Sequence, residues 1–265
     1  MTEPERDALS KDERMAREVL MGTNRGLRFG RRVFRTLPGG RRCKLCTSPF
    51  GSAGGALMRA MGKGPWPNNP KYCSACFKQI SEHRTGAEIE CSLLFADVRN
   101  STSMAEAMRP TEFRALMNRF FEAASRALID HEAVVDKFVG DEIIGIFIPA
   151  LTGGRHAASA VAAARALVGA TRNRDGTAWV PVGAGVHTGV AYVGTVGDGA
   201  HVDFTAMGDP VNVTARLASA AGAGEVLVTT AAASAAGVTD VGLEHRELRL
   251  KGKTATTEVV VLHAA

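Results

Sequence analysis

Two aspartates and four cysteines are the residues whose types and spacing suggest chemistry. In "SLLFADVRNSTSM" (residues 92–104) an apolar run, Leu93 to Ala96, reads as a buried strand. It ends at Asp97, just before Asn100, Ser101, Thr102 and Ser103, which are helix-start residues. A carboxylate there either caps the helix or holds a metal beside a phosphate. Asp141 sits in "KFVGDE", at the tip of a tight hairpin. It is either a plain turn residue or a second carboxylate. If the hairpin lies beside the first strand, the two acids converge and suit a two-metal site of Mg²⁺ or Mn²⁺.

Cys43, Cys46, Cys73 and Cys76 form two C-x-x-C pairs separated by 26 residues. Each pair can chelate one tetrahedral Zn²⁺ from two sides, and Gly-rich turns let the loops close around it. This predicts one structural Zn²⁺ per chain, with a redox dithiol or an iron site as alternatives. Cys91, at a strand start, reads as a small buried residue.

The elements that must position these groups follow from the pattern. Residues 3–20 read as a helix, followed by an Arg-rich segment, the Cys pairs around a Gly/Pro-rich loop, and a polar link at 77–88. From about residue 90 the pattern is α/β. A strand at 91–97 leads to helices near 101–108 and 110–130, with Pro110 in a first helical turn. Residues 133–147 read as two strands around Gly140-Asp141, and 155–172 as an Ala-rich helix. "VPVGAGVHTGVAYVGTVG" (180–197) reads as two strands broken by glycines. A helix near 209–221, a strand at 225–229, a short helix at 230–236 and a hairpin around Lys251-Gly252-Lys253 complete the chain. This predicts a mixed sheet with helices packed on it. The expected domains are 1–42 (helical and Arg-rich), 43–88 (the cysteine module and linker) and 89–265 (the α/β domain).

The net charge of +5 hides an asymmetry. Residues 1–88 hold 17 Lys+Arg and 8 Asp+Glu, a net of +9, against 15 and 19, a net of −4, in 89–265. Residues 24–44 carry eight Lys or Arg and no acid. Segment 25–44 is either a contact for an anionic partner (nucleic acid, lipid or acidic protein) or a solvated arm. No run of eighteen apolar residues predicts a membrane span, and the charged N-terminus lacks a signal-peptide core, which predicts a cytoplasmic protein.

Together "FADVRNST", "KFVGDE", "GVHTG", "MGDPVNVTARL" and "LKGK", in this order, resemble the catalytic domain of class III adenylate/guanylate cyclases over about residues 89–264. The resemblance implies an α/β fold, an α+β sandwich with a ferredoxin-like βαββαβ core, behind the small zinc module. It implies that Asp97 and Asp141 bind two Mg²⁺ or Mn²⁺ ions, with the Val98 carbonyl as an extra ligand. Lys137 and Thr205 would read the purine, Asn212 would orient the ribose, Arg216 would stabilise charge on the α-phosphate, and Lys251 would contact the triphosphate. The helix after Asp97 would offer amides to the phosphates. It further implies a homodimer with sites shared between chains.

Local chemistry agrees with parts of this. Asn212 and Arg216 are four apart on one helix face. A Lys donor and a Thr acceptor suit adenine, with its acceptor at N1 and amino group at C6, so ATP is the expected substrate. One departure is Gly183, where the family often has Arg. Alternatives to an adenylate cyclase are a guanylate cyclase, a diguanylate cyclase (from "VGDEI"), or a zinc-dependent nucleic-acid-binding regulator with a silent cyclase domain. Retention of Asp97, Asp141, Lys137, Asn212 and Arg216 argues against the last.

Overall fold

The computed structural model describes residues 10–67, 69–76, 78, 86–197, 203–239, 241–249 and 256–264. The chain divides into two compact units. One comprises 1–89 with 148–153 and 192–206; the other comprises 90–147, 154–191 and 207–265. The N-terminal unit therefore takes in two segments from later in the chain.

In the N-terminal unit, α1 (Lys11–Leu20) starts in a capping box. The Ser10 backbone N–H donates to Glu13 Oε2 at 2.8 Å, and the Glu13 N–H donates to Ser10 Oγ at 3.2 Å. The Arg-rich run is an ordered helix, α2 (Arg25–Phe34), capped by Asn24 Oδ1, which accepts from the Leu27 N–H at 3.0 Å. Between the cysteine pairs lie α3 (Ser52–Ala60) and a two-stranded ribbon of β1 (Pro65–Trp66) and β2 (Asn69–Cys73), where the sequence suggested only a loop.

The main sheet has eight described strands. They are β3 (Gly86–Val98), β4 (Val134–Val139), β5 (Glu142–Phe147), β6 (Val182–Val196), β7 (Asp203–Met207), β8 (Glu225–Thr229), β9 (Glu244–Leu248) and β10 (Thr257–His263). Their order is β4-β5-β3-β6-β8-β10-β9, with β7 paired to β6. The first four give the spatial order of a ferredoxin-like βαββαβ core, as expected. Helices α4 (Ser101–Ala107) and α5 (Pro110–Asp130) join β3 to β4. Helices α6 (Pro149–Thr152) and α7 (His156–Ala170) precede β6, α8 (Asp209–Ala220) follows β7, and α9 (Thr230–Ala236) follows β8. The core beneath the helices includes Phe120 and Leu128 of α5, Phe147 of β5, Leu167 of α7 and Val186 of β6, all fully buried. Burying each such side chain contributes about 1.5–3 kcal/mol.

Residues 182–196 form one continuous strand rather than two, which corrects the sequence reading. The glycines there serve packing rather than turning. A Cβ on Gly185 would lie 2.5 Å from the Ala218 backbone nitrogen, and one on Gly183 would lie 2.7 Å from the Ala221 carbonyl oxygen. These positions let α8 sit directly on β6. Strand β7 was also missed, being short and next to residues 198–202, which lie outside the described residues.

Candidate active site

The antiparallel register of β3 and β5 places Asp97 opposite Glu142, and therefore next to Asp141. The turn that carries Asp141 rests on Gly140, whose φ of +63° is cheap only for glycine. The hairpin thus does lie beside the first strand, with the Asp141 carboxyl close enough to act on that of Asp97. Burial, then contact with Asp141, pushes the Asp97 carboxyl up to about 6, against the pull of Arg99. Burial, then the charges of Asp97 and Asp141, push Glu142 up to about 7. Asp97 and Asp141 thus bring two carboxylates to one end of the sheet, hard-oxygen donors of the type that suits a divalent magnesium or manganese ion.

Asp97 is not the helix cap. The residue at the N-cap of α4 is Asn100, in the left-handed region at φ 59°, and its side chain makes no capping bond. Asp97 instead receives the Arg99 guanidinium on Oδ2. The same guanidinium donates through Nη1 to the Ser219 carbonyl at 2.9 Å and to the Ala221 carbonyl at 3.4 Å. Arg99 therefore ties the candidate metal carboxylate to the C-terminal end of α8. Sequence reading passed it over, because an Arg two residues after a candidate metal-binding Asp carries no signal without its partners in space. Val98 turns a fully buried side chain into the core.

Helix α8 is held by buried Val213, Thr214 and Leu217, and the Thr214 hydroxyl donates to the Pro210 carbonyl at 2.7 Å. Asn212 is exposed and Arg216 half-buried on the same helix, one turn apart. Lys137 lies on the edge strand β4, with Nζ 3.8 Å from Asp136 Oδ1. Thr205 lies on β7, half-buried. Lys251 and the turn around it lie outside the described residues.

In the N-terminal unit the four cysteines form a second centre. Their sulfurs all lie within 4.8 Å of one another, and all four residues are buried. Cys46 Sγ and Cys73 Sγ are 3.7 Å apart, too far for a disulfide and near the spacing of about 3.8 Å that a tetrahedral Zn–S length of about 2.3 Å sets. The backbone N–H of Cys73 donates to Cys43 Sγ at 3.2 Å, and that of Cys76 to Cys73 Sγ at 3.4 Å. Hydrogen bonds from Cys46, Cys73 and Cys76 lower the Cys43 thiol strongly. With that thiolate present, Cys73 and Cys76 are pushed far up, chiefly by Cys43. Against the opposing effect of Cys43, hydrogen bonds with Cys73 and Cys76 lower the Cys46 thiol as well, so the cluster divides into two lowered and two raised thiols, a donor set that a cation would complete as a candidate structural metal site. Cys91 is buried in β3, and its thiol is pushed up to about 12 by burial.

A family model described as the adenylate and guanylate cyclase catalytic domain matches residues 85–263. Among curated proteins, an adenylate cyclase of Anabaena cylindrica is 34% identical over 131 residues, covering 48% of this chain and 26% of that protein. Adenylate cyclase 1 of Rhizobium meliloti is 30% identical over 134 residues, covering 48% and 20%. The chain thus spans only about a fifth to a quarter of the length of these relatives. Among solved structures, the guanylyl cyclase Cya2 superposes with a TM-score of 0.62 at 26% identity, over 68% of this chain and 95% of that one. The adenylyl cyclase CyaB from P. aeruginosa gives 0.58 at 23% identity, over 68% and 97%, a likeness of fold. With more than half of its residues matched by that model, on a ferredoxin-like sheet that brings Asp97 and Asp141 together, the chain belongs to the adenylate and guanylate cyclase catalytic domain family.

Proposed function

We propose that the protein is an adenylate cyclase that converts ATP to 3′,5′-cyclic AMP and pyrophosphate as a homodimer. The observation that carries this reading is the meeting of Asp97 and Asp141 at the ends of β3 and the β4–β5 turn. Asp97, Asp141 and the Val98 carbonyl would hold two Mg²⁺ or Mn²⁺ ions, which supply an activated ribose 3′-oxygen and charge neutralisation at the phosphates. In the reaction the 3′-oxygen forms a bond to the α-phosphorus, the bond to the bridging oxygen breaks, pyrophosphate leaves, and the 3′-hydroxyl proton passes to solvent. Lys137 donates to purine N1, and the Thr205 hydroxyl accepts from the C6 amino group. Asn212 orients the ribose, Arg216 faces the charge that develops on the α-phosphate, and Lys251 contacts the triphosphate.

Exposed apolar side chains support assembly through this domain. Phe138 and Val139, beside Lys137, are 49% and 51% exposed, and Val190 and Met207 are 59% and 49% exposed. Such a set gains by being covered by a second copy. One Zn²⁺ held by Cys43, Cys46, Cys73 and Cys76 belongs to the same reading, as does a cytoplasmic location. Among the described residues no helix is long and apolar enough to cross a membrane. A guanylate cyclase is the second reading, favoured by the likeness to Cya2 and by the ability of the Thr205 hydroxyl to donate as well as accept.

The test is incubation of purified protein with ATP or GTP and Mn²⁺, with the cyclic product identified by mass. Faster formation of cyclic AMP supports the proposal. Cyclic GMP alone transfers it to the second reading, and no cyclic product from either nucleotide overturns both.

A further inference from the structure

Helix α2 is the segment the cyclase reading leaves unused. At about 100° per residue, Arg25, Arg28, Arg32 and Arg35 fall in one sector of roughly 80°, and Phe29 and Val33 fall in the next. The four arginines are exposed, and among the described residues none is paired with a carboxylate. Phe29 is 69% exposed and Val33 42% exposed, so two apolar side chains stand in water beside the cationic stripe. Phe29 and the arginines line an open hollow of about 690 Å³.

The opposite side of the helix fixes it in place. Arg31 Nε donates to the Leu45 carbonyl, and Arg31 Nη2 donates to the Ala150 carbonyl at 3.3 Å. The Thr47 hydroxyl donates to the Arg31 carbonyl at 2.9 Å, and Arg42 Nη1 donates to the Phe34 carbonyl at 2.8 Å. Leu45 and Thr47 flank Cys46, so the cysteine module holds α2 with its basic and apolar stripes outward.

We propose that α2 is a membrane-surface contact. Arg25, Arg28, Arg32 and Arg35 bind the phosphates of anionic lipids, and Phe29 and Val33 enter the interfacial layer. Charge alone would suit any polyanion. The exposed aromatic and β-branched side chains decide among them, because an interfacial layer receives them whereas a phosphate backbone does not. The outward face also lacks the Asn, Gln, Ser or Thr side chains that supplement arginine in nucleic-acid contacts. Two apolar side chains and four cations make a reversible attachment.

The experiment is co-sedimentation of the full chain, without nucleotide, with vesicles of phosphatidylcholine alone or of three parts phosphatidylcholine to one part phosphatidylglycerol. Binding is expected only to the anionic vesicles, falling as salt rises from about 0.1 to 0.5 M. Each arginine is worth about fivefold in partitioning, so Arg28→Ala with Arg32→Ala lowers it about twenty-five-fold. Phe29→Ala lowers it several-fold while the salt dependence stays as it was. Unchanged melting of these surface variants shows that folding is not the cause. Equal binding to neutral vesicles, no binding to either, or a double variant that binds like the parent overturns the proposal. So does binding to duplex DNA that anionic vesicles cannot compete away. Cyclase activity plays no part in the readout, so failure here leaves the catalytic reading standing, and the reverse.

Discussion

Asp141→Asn should stabilise the metal-free protein while abolishing its catalysis. Burial, contact with Asp141 and its charge together hold the Asp97 carboxyl at about 6, well above the ordinary 3.8. Two pH units correspond to about 3 kcal/mol at 1.36 kcal/mol per unit. Asp97 is half-buried, so solvent screening reduces that to about 1.5 kcal/mol. The contact with Asp141 is the second cause after burial, and Asp141 also raises Glu142. Its neutralisation should therefore return about 1 kcal/mol near pH 7.5, or about 2–4 °C in Tm for a domain of this size. Because the folded-state value is raised, the stability that a protonated Asp97 contributes is complete below about pH 4 and is lost as pH rises through about 6. The advantage of the variant should thus appear above pH 6 and shrink below it. Divalent metal reverses the order. Mn²⁺ at a hundred times its Kd stabilises the wild type by about 2.7 kcal/mol, a gain the variant largely forfeits. Thermal melts of both proteins at pH 5 and 7.5, with chelator and with Mn²⁺, provide the assay. A variant that is less stable than wild type in chelator at pH 7.5, or that gains as much from Mn²⁺, would refute the argument.

The other expectations are more direct. Protein purified without chelators should carry about one zinc per chain, and stripping it should unfold the cysteine module before the cyclase domain; metal analysis with hydrogen exchange checks both, and iron at that stoichiometry counts against zinc. Lys137→Glu with Thr205→Cys should weaken ATP use relative to GTP, and an unchanged preference in an active double variant would show that other groups read the base. Asp141→Ala and Arg216→Ala proteins, each nearly inactive, should regain about a quarter of wild-type activity after chain exchange, because half the dimers then carry one intact site of two. No recovery despite verified exchange rejects a site shared between chains. Arg99→Ala should lower kcat at saturating Mn²⁺ through a loosened Asp97, with Arg99→Lys rescuing part of it; a normal kcat with only a lower Tm would leave Arg99 a structural role alone.

What the sequence disclosed, and what it hid, divides by range. Asp97 and Asp141 were legible because each sits where periodicity stops, one at the end of an apolar run and the other at a Gly-Asp turn, so their elements fix their positions. The cysteine spacing carried its own geometry for the same reason. Residues 182–196 misled because glycine in a strand reads locally as a break. Its cause is α8, whose Ala218 and Ala221 come in from some 35 residues further along and need the missing side chains. The ordered state of α2 was equally invisible, because its fixing contacts come from Leu45, Thr47 and Ala150 rather than from its own sequence. Interactions between distant segments override local pattern in each case.

Gly183 shows what such an override implies for chemistry. The family resemblance implies an Arg there, and on that expectation glycine would mean a lost phosphate contact. In the structure a Cβ at 183 would press on the Ala221 carbonyl oxygen at 2.7 Å, so an arginine would first have to lift the end of α8 from β6. The Ala221 carbonyl also accepts from Arg99, as does that of Ser219. Glycine at 183 and arginine at 99 thus form one arrangement in which α8 packs closely on the sheet and a guanidinium spans its end to Asp97. Restoring the family residue with Gly183→Arg would break that packing before it could add a phosphate contact. The departure is therefore better read as a fixed seat for the helix that carries Asn212 and Arg216 than as a missing ligand.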